Sequence, residues 1–78
     1  MPVLIISSKY KEIESRIIEE MDRGVTELPA RGGYGGHENP ALLCVVEKGR
    51  EVAWVKEIAQ RIDPNAFIVF WEAKEVNG

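Results

Sequence analysis

The residues best suited to contact a ligand lie between positions 31 and 40. This segment reads Arg-Gly-Gly-Tyr-Gly-Gly-His-Glu-Asn-Pro, and a stretch so rich in glycine disfavours both helix and regular strand. Backbone amides without neighbouring side chains can approach and cradle an anion, and Arg31 lies at the entrance. The sequence therefore predicts a loop whose candidate ligand-binding residues are Arg31, Gly32, Gly33, Tyr34, Gly35 and Gly36.

This loop matches neither of the common phosphate-binding motifs. No Gly-Lys-Ser/Thr follows it, as in a P-loop, and it precedes a strand, whereas a dinucleotide fingerprint opens a helix. The alternative interpretation is a hairpin connection whose glycines supply turns, or a loop that docks on a partner. Tyr34 stands between two glycine pairs with little local core to join. We therefore expect its ring to face a ligand, a neighbouring subunit or a partner.

Two further candidates lie at junctions between a helix and a strand. Thr26 follows Arg23-Gly24-Val25, and Asn65 follows Asp63-Pro64. A structural role explains both junctions, since a C-cap glycine and an Asp-Pro turn are common helix ends. Thr26 and Asn65 nevertheless carry hydrogen-bonding groups that could reach a ligand at a subunit boundary, and they complete the candidate ligand-binding set.

Catalytic and metal sites lack the necessary residues. His37 is the single histidine and lies beside Glu38, whereas a metal site needs three or four converging ligands. Cys44 stands in an apolar run and is interpreted as a small core residue. Ser7 and Ser8 have no identifiable histidine partner that could activate a nucleophile. We expect no enzyme activity, no catalytic residue, no metal and no cofactor.

Composition favours a small cytoplasmic domain. The chain has 78 residues, a net charge of −3 and one cysteine, which excludes an internal disulfide framework. Its charges are spread along the chain without the basic patch that nucleic-acid binding requires. Its apolar runs are far shorter than the roughly 20 residues of a spanning helix. No export signal is visible at the N-terminus, so a cytosolic location is expected.

The apolar pattern predicts two helices and four strands along a single domain, 1–78. Apolar residues recur every three or four positions in the helices, and three strands are apolar on both faces. Ser7 and Ser8 are expected to cap the first helix, Gly24 to end it, and Pro29 to place the second strand at an edge. The expected elements are strands 3–6, 25–30, 41–46 and 66–71 and helices near 10–21 and 50–62.

This βαββαβ order predicts an α+β, ferredoxin-like sandwich. In that arrangement both helices cover one face of an antiparallel four-stranded sheet, with the first and third strands in the centre. The other face would remain apolar and uncovered. A patch of that kind is unusual on a soluble monomer, so self-association or docking on a neighbouring domain is expected.

A set of short motifs runs along almost the whole chain. They are the opening strand ending in Ile6-Ser7, Arg23-Gly24-Val25-Thr26, Gly32-Gly33-Tyr34-Gly35-Gly36, Leu42-Leu43-Cys44-Val45-Val46, Ile62-Asp63-Pro64-Asn65-Ala66-Phe67, Val76 and Gly78. With these motifs the chain resembles a bacterial family, the small C-terminal domain of unknown function found on YitT-type membrane proteins, although Gly35 stands where the family usually has a hydroxyl residue.

The resemblance implies a fold related to the PII-type signalling proteins, in which nucleotides bind between the subunits of a trimer. By this analogy Gly32, Gly33, Tyr34 and Gly35 would form the loop side of such a cleft. Family members commonly follow several membrane-spanning segments. The chain is then either complete or the soluble, cytoplasmic domain of an inner-membrane protein, and the sequence leaves both alternatives open.

Two functional hypotheses follow. The first is a regulatory domain, assembled as a homodimer or homotrimer, that binds a small anionic ligand or nucleotide near the glycine-rich loop and modulates a membrane protein. The second is an oligomerisation and protein-docking module without a small ligand. An amino-acid-binding regulator of the ACT type shares the topology and remains a further alternative. RNA binding is disfavoured because the strand 41–46 lacks the aromatic residues on which RNA bases stack.

Overall fold

The computed structural model describes residues 1–32, 38–74 and 77. Within these ranges the order of elements is βαββαβ, as predicted. The strands are β1 (Pro2–Ile6), β2 (Thr26–Leu28), β3 (Ala41–Val45) and β4 (Phe67–Phe70), and the helices are α1 (Tyr10–Met21) and α2 (Arg50–Ile62).

The strands form one antiparallel, four-stranded sheet in the order β2-β3-β1-β4. The two strands that are apolar on both faces and hydrogen-bonded on both sides, β1 and β3, are central, and β2 lies at an edge. The predicted α+β, ferredoxin-like fold is therefore confirmed. Each crossover through a helix returns the chain to the sheet two strands away, which is how four short strands and two helices enclose one core.

The hydrophobic core lies between the two helices and one face of the sheet. Val3 and Ile5 of β1 and Leu42 and Cys44 of β3 have exposures of 0–1%. They share this face because side chains alternate along a strand, and the register pairs Val3 with Cys44 and Ile5 with Leu42. The helices contribute the buried residues Ile13, Ile17, Met21, Val52, Val55, Ile58 and Ala59.

The two ends of α1 differ from the prediction. Gly24 was expected to end the helix, but Asp22 takes the left-handed conformation (φ 52°) and donates its N–H to the Ile18 carbonyl. Aspartate tolerates this region better than most residues, so no glycine is needed there. At the other end Lys9 is the N-cap residue and no side chain caps the helix. The hydroxyl of Ser7 accepts the Lys9 N–H instead.

The edge strands are shorter than predicted. β2 covers three residues, not six, because its partner strand β3 begins at Ala41, which pairs with Leu28 at the end of β2. β4 ends at Phe70, although Trp71 still donates its N–H to the Pro2 carbonyl at 3.3 Å. Among the described residues, neither α1 nor α2 is long and apolar enough to cross a bilayer.

Candidate functional site

Two shallow depressions meet at the glycine-rich end of the sheet, where β1 and β2 finish and β3 and β4 begin. One is lined by Arg31 and Gly32, and the other by Asn65 and its neighbours. Both include Ile6 and Asn39, so they adjoin. The fold therefore brings the adjacent residues Arg31 and Gly32 near Asn65, which is more than 30 positions away in the sequence.

The other predicted site residues lie elsewhere. Thr26 pairs with Leu43 in the sheet and lies on the face opposite the helices, away from the depression that holds Asn65. The remaining candidates, Gly33, Tyr34, Gly35 and Gly36, fall outside the described residues, as does His37.

A network around Ser7 and Asp63 forms the floor of the depression beside Asn65. The buried hydroxyl of Ser7 donates to Asp63 Oδ2 at 2.5 Å, and Asp63 Oδ1 accepts the Asn65 N–H at 2.9 Å. The Ser7 hydrogen bond, followed by that of Asn65, lowers the pKa of Asp63. The ionised carboxylate joins the segment before α1 to the end of α2, and its negative charge disfavours an anion at that point.

A second polar contact ties the chain before β2 to α2. The Arg23 guanidinium donates to both carboxylate oxygens of Glu51, at 3.0 and 2.8 Å, and Glu51 also accepts the Glu47 N–H at 2.7 Å. Arg23, foremost among these donors, lowers the pKa of Glu51. Sequence analysis missed this pair because its members lie 28 positions apart and no local pattern links them.

Cys44 is buried in the core, as expected. Burial raises the pKa of its thiol, which therefore remains protonated near neutral pH. Among the described residues, no three histidine, cysteine, aspartate or glutamate side chains are grouped as metal ligands.

The face of the sheet opposite the helices carries most of the large exposed apolar side chains of the described residues, and we call it the open face. Large apolar side chains on it include Ile6 (42% exposed), Val45 (45%), Phe67 (61%) and Trp71 (44%). No side chain on it is charged. By alternation and register its members are Pro2, Leu4, Ile6, Thr26, Leu28, Ala41, Leu43, Val45, Phe67, Val69 and Trp71.

The helical side exposes fewer apolar groups, and they are scattered. Ile18 lies on α1 and Trp54 on α2. Phe70 lies under the Lys56 ammonium, which is 5.4 Å from the ring centre. Isolated exposed apolar residues are normal, whereas a contiguous apolar face points to an interaction surface.

Comparison with known proteins identifies the family. A family model described as "Uncharacterized protein conserved in bacteria (DUF2179)" matches residues 23–78. The chain is similar to the "Uncharacterized protein in cccA 5'region" of Bacillus sp. (strain PS3), with 45% identity over 75 residues, 96% of this chain and 49% of that protein. It is 37% identical to the "UPF0750 membrane protein YvjA" of Bacillus subtilis (strain 168), covering 96% of this chain and 26% of that protein.

A solved structure agrees with the fold. The crystal structure of the DUF2179 protein from Eubacterium ventriosum superposes with a TM-score of 0.74 at 37% identity, covering 87% of this chain and 92% of that chain. YitT of B. subtilis is also a relative, at 28% identity, which confirms the resemblance to the YitT-type domain. This chain spans about half to a quarter of the length of the curated relatives above. It belongs to the bacterial DUF2179 family.

Proposed function

We propose that this chain is an assembly module that brings together copies of a membrane protein to which it is attached. The observation that supports this proposal is the open face, which is apolar and uncharged and whose large side chains at Ile6, Val45, Phe67 and Trp71 are 42–61% exposed. The occupant we assign to it is a second copy of the same chain. The proposal assigns no reaction to the domain and keeps the expectation that it works on the cytoplasmic side of an inner membrane.

Self-association is favoured over other occupants by two considerations. A face without charge can meet its own copy across a two-fold axis without like-charge repulsion, and sheets pack face to face about 10 Å apart. In addition, the solved relative is matched over 92% of its chain. That chain holds little besides the domain, so no large further segment of the same polypeptide is present there to cover the corresponding face.

The size of the open face sets the expected affinity. Four strands about 4.8 Å apart and about five residues long give a footprint of roughly 300 Å² per copy. Stable complexes bury about 800 Å² per partner, so the isolated domain is expected to associate weakly. Attachment to a membrane would raise the effective concentration of the domains and strengthen the same contact.

The test is Val45→Lys, which places a charge on the open face. We expect this variant to remain folded and to associate more weakly than the wild type in sedimentation equilibrium over a range of concentrations. The matched control is Ile18→Lys, since Ile18 is 47% exposed, against 45% for Val45, but lies on α1. The control should associate like the wild type. Equal association of the wild type and both variants would contradict the proposal.

A second candidate function is ligand response at the glycine-rich end. It is favoured by the adjoining depressions that bring Arg31 and Gly32 near Asn65. In this hypothesis a small anion or nucleotide contacts Arg31 and the glycine amides and modulates the attached membrane protein. Asp63 would select against ligands with negative charge on its side of the depression.

Thermal unfolding with nucleotides, cyclic dinucleotides and amino acids tests this second function. A ligand that binds the folded state at a hundredfold excess over its Kd adds about 2.7 kcal/mol to the free energy of unfolding. The response should be lost in Arg31→Ala and kept in Arg50→Ala, whose side chain lies at the start of α2. No response to any of these compounds would leave the assembly module as the supported function.

A further inference from the structure

The hydrogen-bond pattern of β4 shows which of its backbone groups the sheet uses. In an antiparallel pair, alternate residues direct both N–H and C=O towards the neighbouring strand. Trp71 donates its N–H to the Pro2 carbonyl at 3.3 Å. Trp71 and, two positions back, Val69 therefore direct their backbone groups towards β1.

Ile68 and Phe70 must direct their backbone N–H and C=O groups away from β1, towards the outer edge of the sheet. The strand order ends at β4, so no described strand lies beyond this edge to receive them. A bare edge of this kind is a template for another strand, and natural proteins usually protect it with charges, proline or a bulge. β4 reads Phe-Ile-Val-Phe and carries neither charge nor proline.

The opposite edge of the sheet is blocked. Val46 donates its N–H to the Met1 carbonyl at 3.0 Å, which fixes the alternation along β3 and, through it, along β2. Of the three residues of β2, only Glu27 directs its backbone groups outwards, and its side chain is charged. Pro29, the next outward position, has no N–H to donate. A strand added at this edge would find one residue to pair with.

We infer that two copies of this chain pair through antiparallel β4 strands about a two-fold axis at Val69, joining their four-stranded sheets into one continuous sheet. In this register Ile68 of each copy exchanges N–H···O bonds with Phe70 of the other, about four bonds in all. Because the β2 edges are blocked, the pairing closes at two copies and does not propagate.

The neighbouring registers fit less well. An axis at Ile68 would oppose Phe70 to Ala66, whose N–H is already donated to the Asp63 carbonyl at 3.0 Å. An axis at Phe70 would oppose Ile68 to Glu72, which is in a salt bridge with Lys48. Only the register centred on Val69 pairs the outward groups of Ile68 with those of Phe70, so that all four bonds lie within β4.

The side chains match this register. On the open face Val69 would meet its own copy, and Phe67 would lie opposite Trp71 of the second copy, twice. These are non-hydrogen-bonded positions, where Cα atoms approach to about 4.5 Å and aromatic pairs stabilise the sheet. Phe67 and Trp71 are 61% and 44% exposed in the single chain. The pairing would cover part of that surface and make the two open faces continuous.

This inference deepens the proposed function, since both require a second copy, but it rests on a different surface. The test compares Phe70→Pro with Phe70→Ala. Proline removes an N–H that the chain's own sheet does not use, whereas alanine removes the side chain and keeps the N–H. Each pair of copies loses two hydrogen bonds in the proline variant, so we expect its dimerisation Kd to be roughly 30-fold higher than that of the alanine variant.

Thermal unfolding confirms that both variants fold, and equal Kd values would overturn the inference. Amide hydrogen exchange on the wild type gives a readout without substitution. The amides of Ile68 and Phe70 should become protected as protein concentration rises, while that of Glu27 should not. Fast exchange of Ile68 and Phe70 at every concentration would also overturn it, even if Phe70→Pro failed to fold.

The two surfaces can be tested separately. If Val45→Lys prevents association while Phe70→Pro and Phe70→Ala behave alike, the open face is the interface and the edge is not. If Phe70→Pro alone weakens association and Val45→Lys has no effect, the edge pairs and the open face has another role. If both surfaces are used, each variant retains the contact made by the other surface.

Discussion

The two faces of the sheet are similar in composition and differ in solvent exposure. Ile5 and Ile6 are adjacent in β1 and chemically identical, yet Ile5 is 0% exposed and Ile6 is 42% exposed. Cys44 and Val45 repeat this contrast in β3, at 1% and 45%. The first member of each pair lies under the helices and the second lies on the open face. Residue type therefore does not decide burial here, because two helices can cover only one face of the sheet.

The largest expected effect comes from truncating the same residue type on each face. Ile5→Ala should lower the free energy of unfolding by about 3 kcal/mol, because it leaves a cavity in a closed core. Ile6→Ala should cost less than about 1 kcal/mol, because its side chain is already partly in water. Urea unfolding at low protein concentration, where the chain is monomeric, measures both.

Equal costs would show that the open face is packed within the single chain. If Ile5→Ala does not fold, Ile5→Val and Ile6→Val provide a milder comparison. The costs of these two changes should differ in the same direction, with about 1 kcal/mol expected for Ile5→Val.

An intermediate effect is expected at the hydrogen-bond network of Ser7 and Asp63, which lies at the end of β1. Ser7→Ala removes the hydroxyl that donates to Asp63 and should lower Tm by roughly 5 °C at pH 7. Since the pKa of Asp63 in the folded state is lowered from its ordinary value of 3.8, this contribution is present above that value. It is lost as the pH falls through the folded pKa.

The Tm values of wild type and Ser7→Ala should therefore converge in strong acid. Ser8→Ala is the control, because Ser8 is exposed and adjacent in sequence. A difference between wild type and Ser7→Ala that stayed constant down to pH 2 would show that the hydroxyl acts through packing and not through the ionised carboxylate.

The smallest effect is expected at the β2 edge of the sheet, where the side chain of Glu27 lies on the face that the helices cover. Hydrogen bonding to Glu27, with a contribution from its charge, raises the pKa of Glu14. A raised folded pKa means that ionisation of Glu14 weakens the fold, so the penalty is present at neutral pH and disappears as the pH falls. Glu27→Gln should raise Tm at pH 7 by about 1 °C and lose this advantage near pH 4.

Glu20→Gln on the exposed part of α1 is the matched control, since it removes the same charge away from this pair. An equal rise in Tm for Glu20→Gln would show that the effect comes from net charge and not from the contact between Glu14 and Glu27. A decrease in Tm for Glu27→Gln would show that the pair stabilises the edge.

Much of the fold was predictable because the signals are local. The stripe of Ile13, Ile17 and Met21 in α1 and the doubly apolar runs of β1 and β3 each lie within one element. These patterns were sufficient for the element order and for the central position of β1 and β3. The prediction that α1 ends at Gly24 was wrong, because Asp22 adopts the left-handed conformation two residues earlier.

The candidate site was less predictable. Arg31 and Asn65 were chosen from separate motifs, and their proximity depends on both β1 and the turn after α2. Thr26 was grouped with them, but its place in β2 puts it opposite Leu43. The pairing of Arg23 with Glu51 had no sequence signal, since neither residue type nor spacing identifies a partner 28 positions away.

The periodicity of apolar residues was enough to specify two helices, four strands and a sheet with more apolar surface than the helices cover, because each of these depends on near neighbours in the chain. Which isoleucine of β1 is buried, which edge strand keeps its backbone groups unpaired and which charged groups meet depend on register and on the packing of distant segments. Those relations arise only when the strands align and the helices settle on one face, since alternation makes every second side chain and every second N–H point the opposite way.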